Sequence, residues 1–262
     1  MESTAYSAIA GVYDKLNAEI DYAAWADFVE ACFDRFLPVR PTLLLDLACG
    51  TGSMTLALAQ RGYDMIGVDA SPDMLAVAAE RSAGTPGVLY LCQDMRSFEL
   101  YGTVGAVTAC LDSVNYLCGE GDLTACFATV HNYLDPDGLF LFDVNTPYKF
   151  EHVYADNAYI LEDEDTAGRG IFCGWQNFYN KTTRLCEFDL TVFGEDRNGR
   201  WQRRDEVQTE RCFSREELEK ALTDAGFALL AVTADWNFSP PTETTERWYF
   251  VARAKKPHVP ID

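Results

Sequence analysis

Four short polar stretches, each following an apolar run, hold the residue types that could do chemistry in this 262-residue chain. In "LLLDLACGTG" the carboxylate of Asp46 precedes Gly50 and Gly52, the pattern of a strand passing through a glycine loop into a helix whose first N–H groups face a ligand. A dinucleotide loop wants a third small residue three places after Gly52, so that the helix can approach the pyrophosphate; Thr55 stands there instead. Asp46 is a poor neighbour for a pyrophosphate and a good one for a cation, so the loop prefers a ligand carrying positive charge. Asp69, in "GVDAS", comes 19 residues after Gly50, where a carboxylate at a strand end accepts hydrogen bonds from both ribose hydroxyls. Asp94 in "QDM" can accept from an exocyclic amine while the N–H of Met95 donates to a ring nitrogen. Together these groups describe an adenosine with an amino-acid tail. The stretch "CLDSVNYL" and the later "DVNTP" add Asp112, the nearest carboxylate that could take a proton, and Asn115, Tyr116 and Asn145, which could orient a second substrate.

Such residues need elements to hold them. "DYAAWADFVEACFDRF" places apolar residues at 25, 28, 29, 32, 33 and 36, one stripe of a helix that Pro38 closes. Strands and helices then alternate: a buried strand "TLLLDLA", a helix "GSMTLALAQRG" ended by Gly62, a strand "DMIGVDA", and a helix "SPDMLAVAAERSAG" with Ser71 as N-cap and Gly84 as its stop. "GVLYLCQDM" and "VGAVTACLDSV" read as the third and fourth strands, "EGDLTACFATVHNYLDPDG" as a helix and turn, and "LFLFDVN" as the fifth strand. Near-continuous apolar strands between helices predict a doubly wound, mostly parallel α/β sheet, with a core over residues 40–147 and 210–256 and a helical cap over 1–39. From 148 to 209 apolar–polar alternation replaces helical periodicity, which predicts an inserted antiparallel β-subdomain with "DRNG" as a hairpin turn. A capping box of Ser214 and Glu217 opens one more helix before two closing strands, "ALLAVTADW" and "RWYFVARA".

These motifs, in this order and spacing, resemble the class I S-adenosylmethionine-dependent methyltransferases, in the bacterial small-molecule branch with an inserted β-subdomain. "LLDLACGTG" looks like that family's first motif, "GVDAS" the acidic end of its second strand, "QDM" its adenine motif and "CLDSVNYL" its fourth motif. The resemblance implies a Rossmann-like sheet of seven strands with the last antiparallel, and S-adenosyl-L-methionine as cofactor. It implies that Asp46, Ala48 and Gly50 meet the methionine part, Asp69 the ribose, and Asp94 and Met95 the adenine. Cys49, Gly52, Ala70 and Met74 complete that site, and Leu111 lies near the transferring group. Tyr13, in "GVYDKL", matches a tyrosine of the family's cap over the cofactor, with Tyr6, Tyr22 and Trp25 as further lid candidates. The expected reaction is methyl transfer to an O, N or C atom of a small molecule. A non-catalytic sensor of the cofactor and an RNA or protein methyltransferase are rival readings; a nicotinamide oxidoreductase would leave Asp46 without a role.

Composition narrows the partners. A net charge of −20 repels a phosphate backbone, and the one dense basic cluster, "RWQRRDE", reads as a solvated hairpin edge, so no nucleic acid is expected. Nine cysteines with no C-x-x-C pair read as reduced thiols, and no metal is expected. The N-terminus carries acids instead of an Arg-rich leader, and no run of about 18 apolar residues occurs, which predicts a cytoplasmic protein that engages no membrane. A homodimer through the β-insertion is a candidate assembly. His131, on an apolar helix, and His258, in the tail, read as structural, and His152 is a weak candidate base. Trp175, Phe178 and Tyr179 read as sheet packing before a substrate cage, although a methyl-accepting amine would suit such a wall.

Overall fold

The computed structural model describes Tyr13 and residues 19–164 and 168–257. In chain order the elements are α1 (Tyr22–Phe36), β1 (Leu43–Leu47), α2 (Ser53–Ala59), β2 (Asp64–Asp69), α3 (Pro72–Arg81), β3 (Val88–Cys92), β4 (Val104–Ala109), α4 (Asp122–Tyr133) and β5 (Leu134–Asn145). Four strands follow, β6 (Ala158–Glu164), β7 (Gly170–Asn180), β8 (Leu185–Glu195) and β9 (Trp201–Arg211), then α5 (Arg215–Asp224), β10 (Phe227–Thr233) and β11 (Arg247–Ala254). Seven strands form one sheet in the order β10-β11-β5-β4-β1-β2-β3, parallel except for β11, which runs antiparallel to both β5 and β10.

The strand sequences are apolar at consecutive positions because the sheet buries both faces. Along β5, Phe140, Phe142 and Val144 point to one side and pack on Phe127 and Val130 of α4 and Leu218 and Leu222 of α5. Leu139 and Leu141 point to the other side, toward Phe28, Val29 and Phe33 of α1 and Met54 and Leu58 of α2. Each such fully buried side chain contributes roughly 1.5–3 kcal/mol. The register that pairs Phe142 with Phe250 stacks their rings at 4.9 Å. Ser71 caps α3, accepting from the N–H of Met74, and Pro72 takes the first helical position, where its missing N–H costs nothing. No helix among the described residues is long and apolar enough to cross a membrane.

Element boundaries shift from those predicted, by most at the end of β4 and the start of β5. β4 stops at Ala109, not at Val114, because Leu111 and Asp112 both adopt left-handed backbone angles (φ 58° and 52°) and Ser113–Tyr116 then coil into a 3₁₀ turn. β5 begins at Leu134, before the "DPDG" turn: Leu134 already pairs with Val104, and the turn, with Asp137 at φ 62°, is an excursion inside the strand before Leu139 pairs with Ala106.

β6, β7, β8 and β9 form a separate four-stranded antiparallel sheet in that order. Its inner face holds Cys173, Cys186, Phe188, Leu190 and Val192 against Phe150, with Tyr13, Tyr154, Trp175 and Tyr179 at the margin. Glu217 of α5 fastens this sheet to the larger one. It completes the capping box with Ser214, receives both ends of the Arg184 guanidinium at 2.6 and 2.7 Å, and takes a third contact from Arg211 at 3.2 Å. Burial alone would raise this carboxyl, but the bonds from Arg184 and the N–H of Ser214 outweigh it and hold the pKa at about 2. A depressed carboxyl contributes stability above its unfolded pKa and loses it as pH falls toward the folded one. Glu217→Gln is therefore expected to cost about 2 kcal/mol at pH 7, after allowance for partial solvent screening. The gap from the wild type should close between pH 4.5 and about 2, which urea titrations across that range would measure.

Candidate functional site

A cavity of about 370 Å³ lies at the carboxyl ends of the central strands, beneath Tyr13 and Tyr22. That is the size and position at which open α/β sheets hold small ligands. Its wall brings together Asp46, Ala48, Cys49 and Gly50 from the β1 loop, Asp69, Ala70 and Met74 from the end of β2 and the start of α3, Asp94 and Met95 after β3, and Leu111 and Tyr116 after β4. These residues are spread over 71 positions of sequence, and the parallel strands deliver them to one edge of the sheet.

The β1 loop turns sharply because Ala48, Gly50 and Gly52 all take positive φ (55°, 54° and 75°). Within it Asp46 is 1% exposed. Its carboxylate accepts from the hydroxyl of Thr55 at 2.6 Å and that of Thr108 at 3.1 Å. Burial pushes its pKa up to about 6 against the pull of those two hydroxyls. A carboxylate offers about four lone-pair sites, so capacity remains toward the cavity. Cys49 has its thiol pushed well up by burial beside Asp46 and Asp69, which makes it an inert small filler.

Asp69 organises the neighbouring backbone: its Oδ2 accepts from Gly50 N–H and its Oδ1 from Ser71 N–H, both at 2.8 Å. Burial raises this carboxyl and the backbone N–H groups oppose the rise. Asp94 is gripped by Arg96, through the backbone N–H at 2.8 Å and the guanidinium at 2.5 to 3.1 Å, which lowers its pKa. Arg96 also reaches Asp122 at 3.2 Å, so an ion-pair bridge closes this end of the wall.

At the other end, Leu111 and Ser113 face the cavity while Asp112, between them, does not. Asp143, fully buried on β5, accepts from Leu111 N–H at 2.8 Å and Asp112 N–H at 3.0 Å. Two consecutive left-handed non-glycine residues cost roughly 1–2 kcal/mol each, and these bonds offset that cost. Arg247 of β11 bonds both Asp143 and, at 2.7 Å, Asp112. Burial pushes Asp112 up, but Arg247 and Lys149 outweigh it and keep the group ionised. Glu210, on β9, is driven well above the usual carboxylate range by burial and by the negative charge of Asp112.

Asn115 and Asn145 are not at the cavity wall; both are fully buried and spend their amides on architecture. Asn115 donates to Arg211 O at 2.8 Å and accepts from Asn145 N–H at 2.9 Å, while Asn145 donates to Glu210 at 2.9 Å and accepts from Lys149 at 3.0 Å. Gly52 also lies off the wall, packed under the Tyr90 hydroxyl. Trp25 is core, 4% exposed and set against Trp236 and Tyr249, while Tyr6 and His258 lie outside the described residues. His131 packs edge-on against Phe227, its pKa lowered by burial, and His152 sits beside Tyr148 on an exposed turn. No group of three or more His, Cys, Asp or Glu able to hold a metal occurs among the described residues.

Several residues escaped the sequence. Ser113 lines the cavity with its hydroxyl buried and without a hydrogen-bond partner, a group that costs about 1–3 kcal/mol unless a ligand or water satisfies it. β9 turns Glu206, Gln208 and Glu210 inward and leaves Val207 58% exposed, the reverse of the usual alternation. Gln208 takes the hydroxyl of Tyr116 at 2.9 Å, which links this polar row to the cavity wall.

A family described as a methyltransferase domain matches residues 44–138. YqeM of Bacillus subtilis (strain 168), named as a methyltransferase, is 35% identical over 252 residues, covering 96% of this chain and 98% of that protein. The dTDP-3-amino-3,6-dideoxy-alpha-D-glucopyranose N,N-dimethyltransferase of Streptomyces fradiae is 29% identical over 224 residues, 84% of each chain. The crystal structure of an S-adenosylmethionine-dependent methyltransferase from Clostridium acetobutylicum ATCC 824 superposes with a TM-score of 0.83 at 30% identity, over 96% of this chain and 99% of that one.

Proposed function

Because the chain belongs to the class I S-adenosylmethionine-dependent methyltransferases, we propose that it methylates the nitrogen of a small polar amine. The acceptor would enter where Leu111 and Tyr116 meet Tyr13. The observation that carries the choice of acceptor is the inward polar row of β9, Glu206, Gln208 and Glu210, joined to Tyr116 through the Gln208 amide. Such a row favours a polar, hydrogen-bonding molecule over an apolar one. The amino-sugar substrate in the name of the Streptomyces fradiae relative agrees with it.

The wall fits S-adenosylmethionine: Asp69 and Asp94 suit its ribose and adenine amine, ionised Asp46 its positively charged methionine end, and the orphan Ser113 hydroxyl a further polar group. Ala48, Cys49, Gly50, Ala70, Met74, Met95 and Leu111 supply its remaining contacts. The cofactor brings an activated sulfonium methyl; the chain's own share is to align the acceptor and exclude water, worth up to about 7–11 kcal/mol in favourable systems. A neutral amine needs no strong base, in keeping with Asp112 being held by Arg247. Nine unpaired cysteines support a cytoplasmic setting. The exposed β6 edge, with Tyr159, Ile160 and Leu161, supports a homodimer through the inserted sheet, which sedimentation would test.

Incubation with S-adenosylmethionine and a panel of primary amines that includes dTDP-3-amino sugars, read by mass spectrometry, should show methylated amine. Transfer only to oxygen or carbon acceptors would sink the choice of nitrogen. Cofactor binding without turnover on a broad metabolite panel would instead favour a sensor.

A further inference from the structure

Arg247 is separated from the cavity loops by most of the chain, yet it closes a ring of contacts beneath them. Its guanidinium bonds the carboxylates of Asp143 and Asp112, and Asp143 in turn accepts the N–H groups of Leu111 and Asp112. Those are the two residues whose left-handed backbone turns the chain out of β4, and Leu111 and Ser113 on either side of Asp112 are cavity wall. The antiparallel register of β11 on β5 sets Arg247 opposite Asn145 and Tyr249 opposite Asp143, so the clamp is built into the sheet.

We propose that Arg247 is a positioning residue: through Asp143 and Asp112 it holds the backbone of Leu111 and Asp112 in the arc that shapes the cavity where the methyl group is transferred. A planar guanidinium can bond two carboxylates at once, which a lysine ammonium does less well. Without it the two carboxylates repel each other and the left-handed pair loses its anchor. The loop then relaxes, Leu111 and Ser113 shift, and the cavity no longer matches its ligand. This rests on the cavity being the S-adenosylmethionine site, so the test carries one readout that needs no cofactor.

Arg247→Met and Arg247→Lys would be compared with the wild type in amide hydrogen exchange without ligand and in calorimetric binding of S-adenosylhomocysteine, all at a temperature where each variant is folded. The clamp predicts that the Leu111 and Asp112 amides lose protection while the centres of β5 and β11 keep theirs. It predicts S-adenosylhomocysteine affinity about ten-fold weaker in Arg247→Met and less weakened in Arg247→Lys. Adding Asp112→Gly to Arg247→Met should recover most of that affinity, because glycine adopts the left-handed conformation unaided. A merely structural arginine predicts a lower melting temperature with affinity within two-fold of the wild type and no recovery by glycine, and that result would overturn the proposal. If Arg247→Met does not fold, Arg247→Lys with and without Asp112→Gly carries the same comparison. Unchanged exchange at Leu111 and Asp112 overturns the clamp by itself; a wild type that fails to bind S-adenosylhomocysteine counts against the cofactor site and leaves the exchange result to decide the clamp.

Discussion

Asp46→Asn is expected to bind S-adenosylmethionine at least ten-fold more weakly than the wild type at pH 7.5 and, without ligand, to be the more stable of the two proteins. Both effects come from one carboxylate. Asp46 is buried, and the Thr55 and Thr108 hydroxyls satisfy it only in part, so its pKa stands at about 6 instead of 3.8. A carboxyl whose folded pKa is raised contributes stability that is present below the unfolded value and lost as pH rises through the folded one. Above pH 6 the empty protein therefore carries a buried charge that costs about 1–3 kcal/mol, and the amide removes that cost while keeping the shape. A cationic ligand reverses the balance, because it favours the ionised form. Wild-type affinity should rise between pH 5 and 7 and binding should release a proton near pH 6, whereas Asp46→Asn should show neither. Calorimetry in two buffers of different ionisation enthalpy reads the proton directly. An affinity that is flat with pH in the wild type, or unchanged in the variant, would remove Asp46 from the ligand site.

That carboxylate also shows where the sequence was legible and where it was not. Asp46, Asp69 and Asp94 announce themselves because each ends an apolar run, and parallel strands bring such ends to one edge of the sheet. The doubly wound order and the antiparallel insertion follow from periodicity for the same reason: strand burial is written locally. Thr55 was visible only as a departure from a dinucleotide loop, and its function is to hydrogen-bond Asp46 nine residues earlier. Arg247 is 104 residues from Asp143 and 135 from Asp112, so no spacing connects them; only the pairing of β11 with β5 does. Asn115 and Asn145 have the polarity of site residues and yet are fully buried, because the junction between the two sheets needs amides to satisfy backbone groups. β9 misleads in a related way. A strand with Val207 exposed and Glu206, Gln208 and Glu210 inward reads as solvated on its polar side until its neighbours are known.

The two glycines of the β1 loop should separate binding from stability. Both take positive φ, so alanine at either costs roughly 1 kcal/mol of backbone strain. Beyond that they differ. A Cβ at Gly52 would stand 2.4 Å from the Tyr90 hydroxyl oxygen and 3.0 Å from Ala78 Cβ, so α2 must move away from β3 and α3 or the Tyr90 ring must be displaced. Overpacking of this kind adds about 1–3 kcal/mol. A Cβ at Gly50 meets nothing within 4 Å, and Gly50 is at the cavity wall whereas Gly52 is not. Gly52→Ala is therefore expected to lose about 2–4 kcal/mol in urea denaturation, with weaker S-adenosylhomocysteine binding only as far as α2 shifts. Gly50→Ala should lose about 1 kcal/mol of stability but bind S-adenosylhomocysteine at least ten-fold more weakly, because its methyl competes for space with a ligand at the wall. A double mutant tests the cause: Tyr90→Phe removes the oxygen nearest the new Cβ and should restore part of the stability of Gly52→Ala while leaving Gly50→Ala unchanged. Equal stability losses at the two glycines would mean that φ alone requires glycine at position 52, whereas no rescue by Tyr90→Phe would move the clash from the Tyr90 hydroxyl to Ala78.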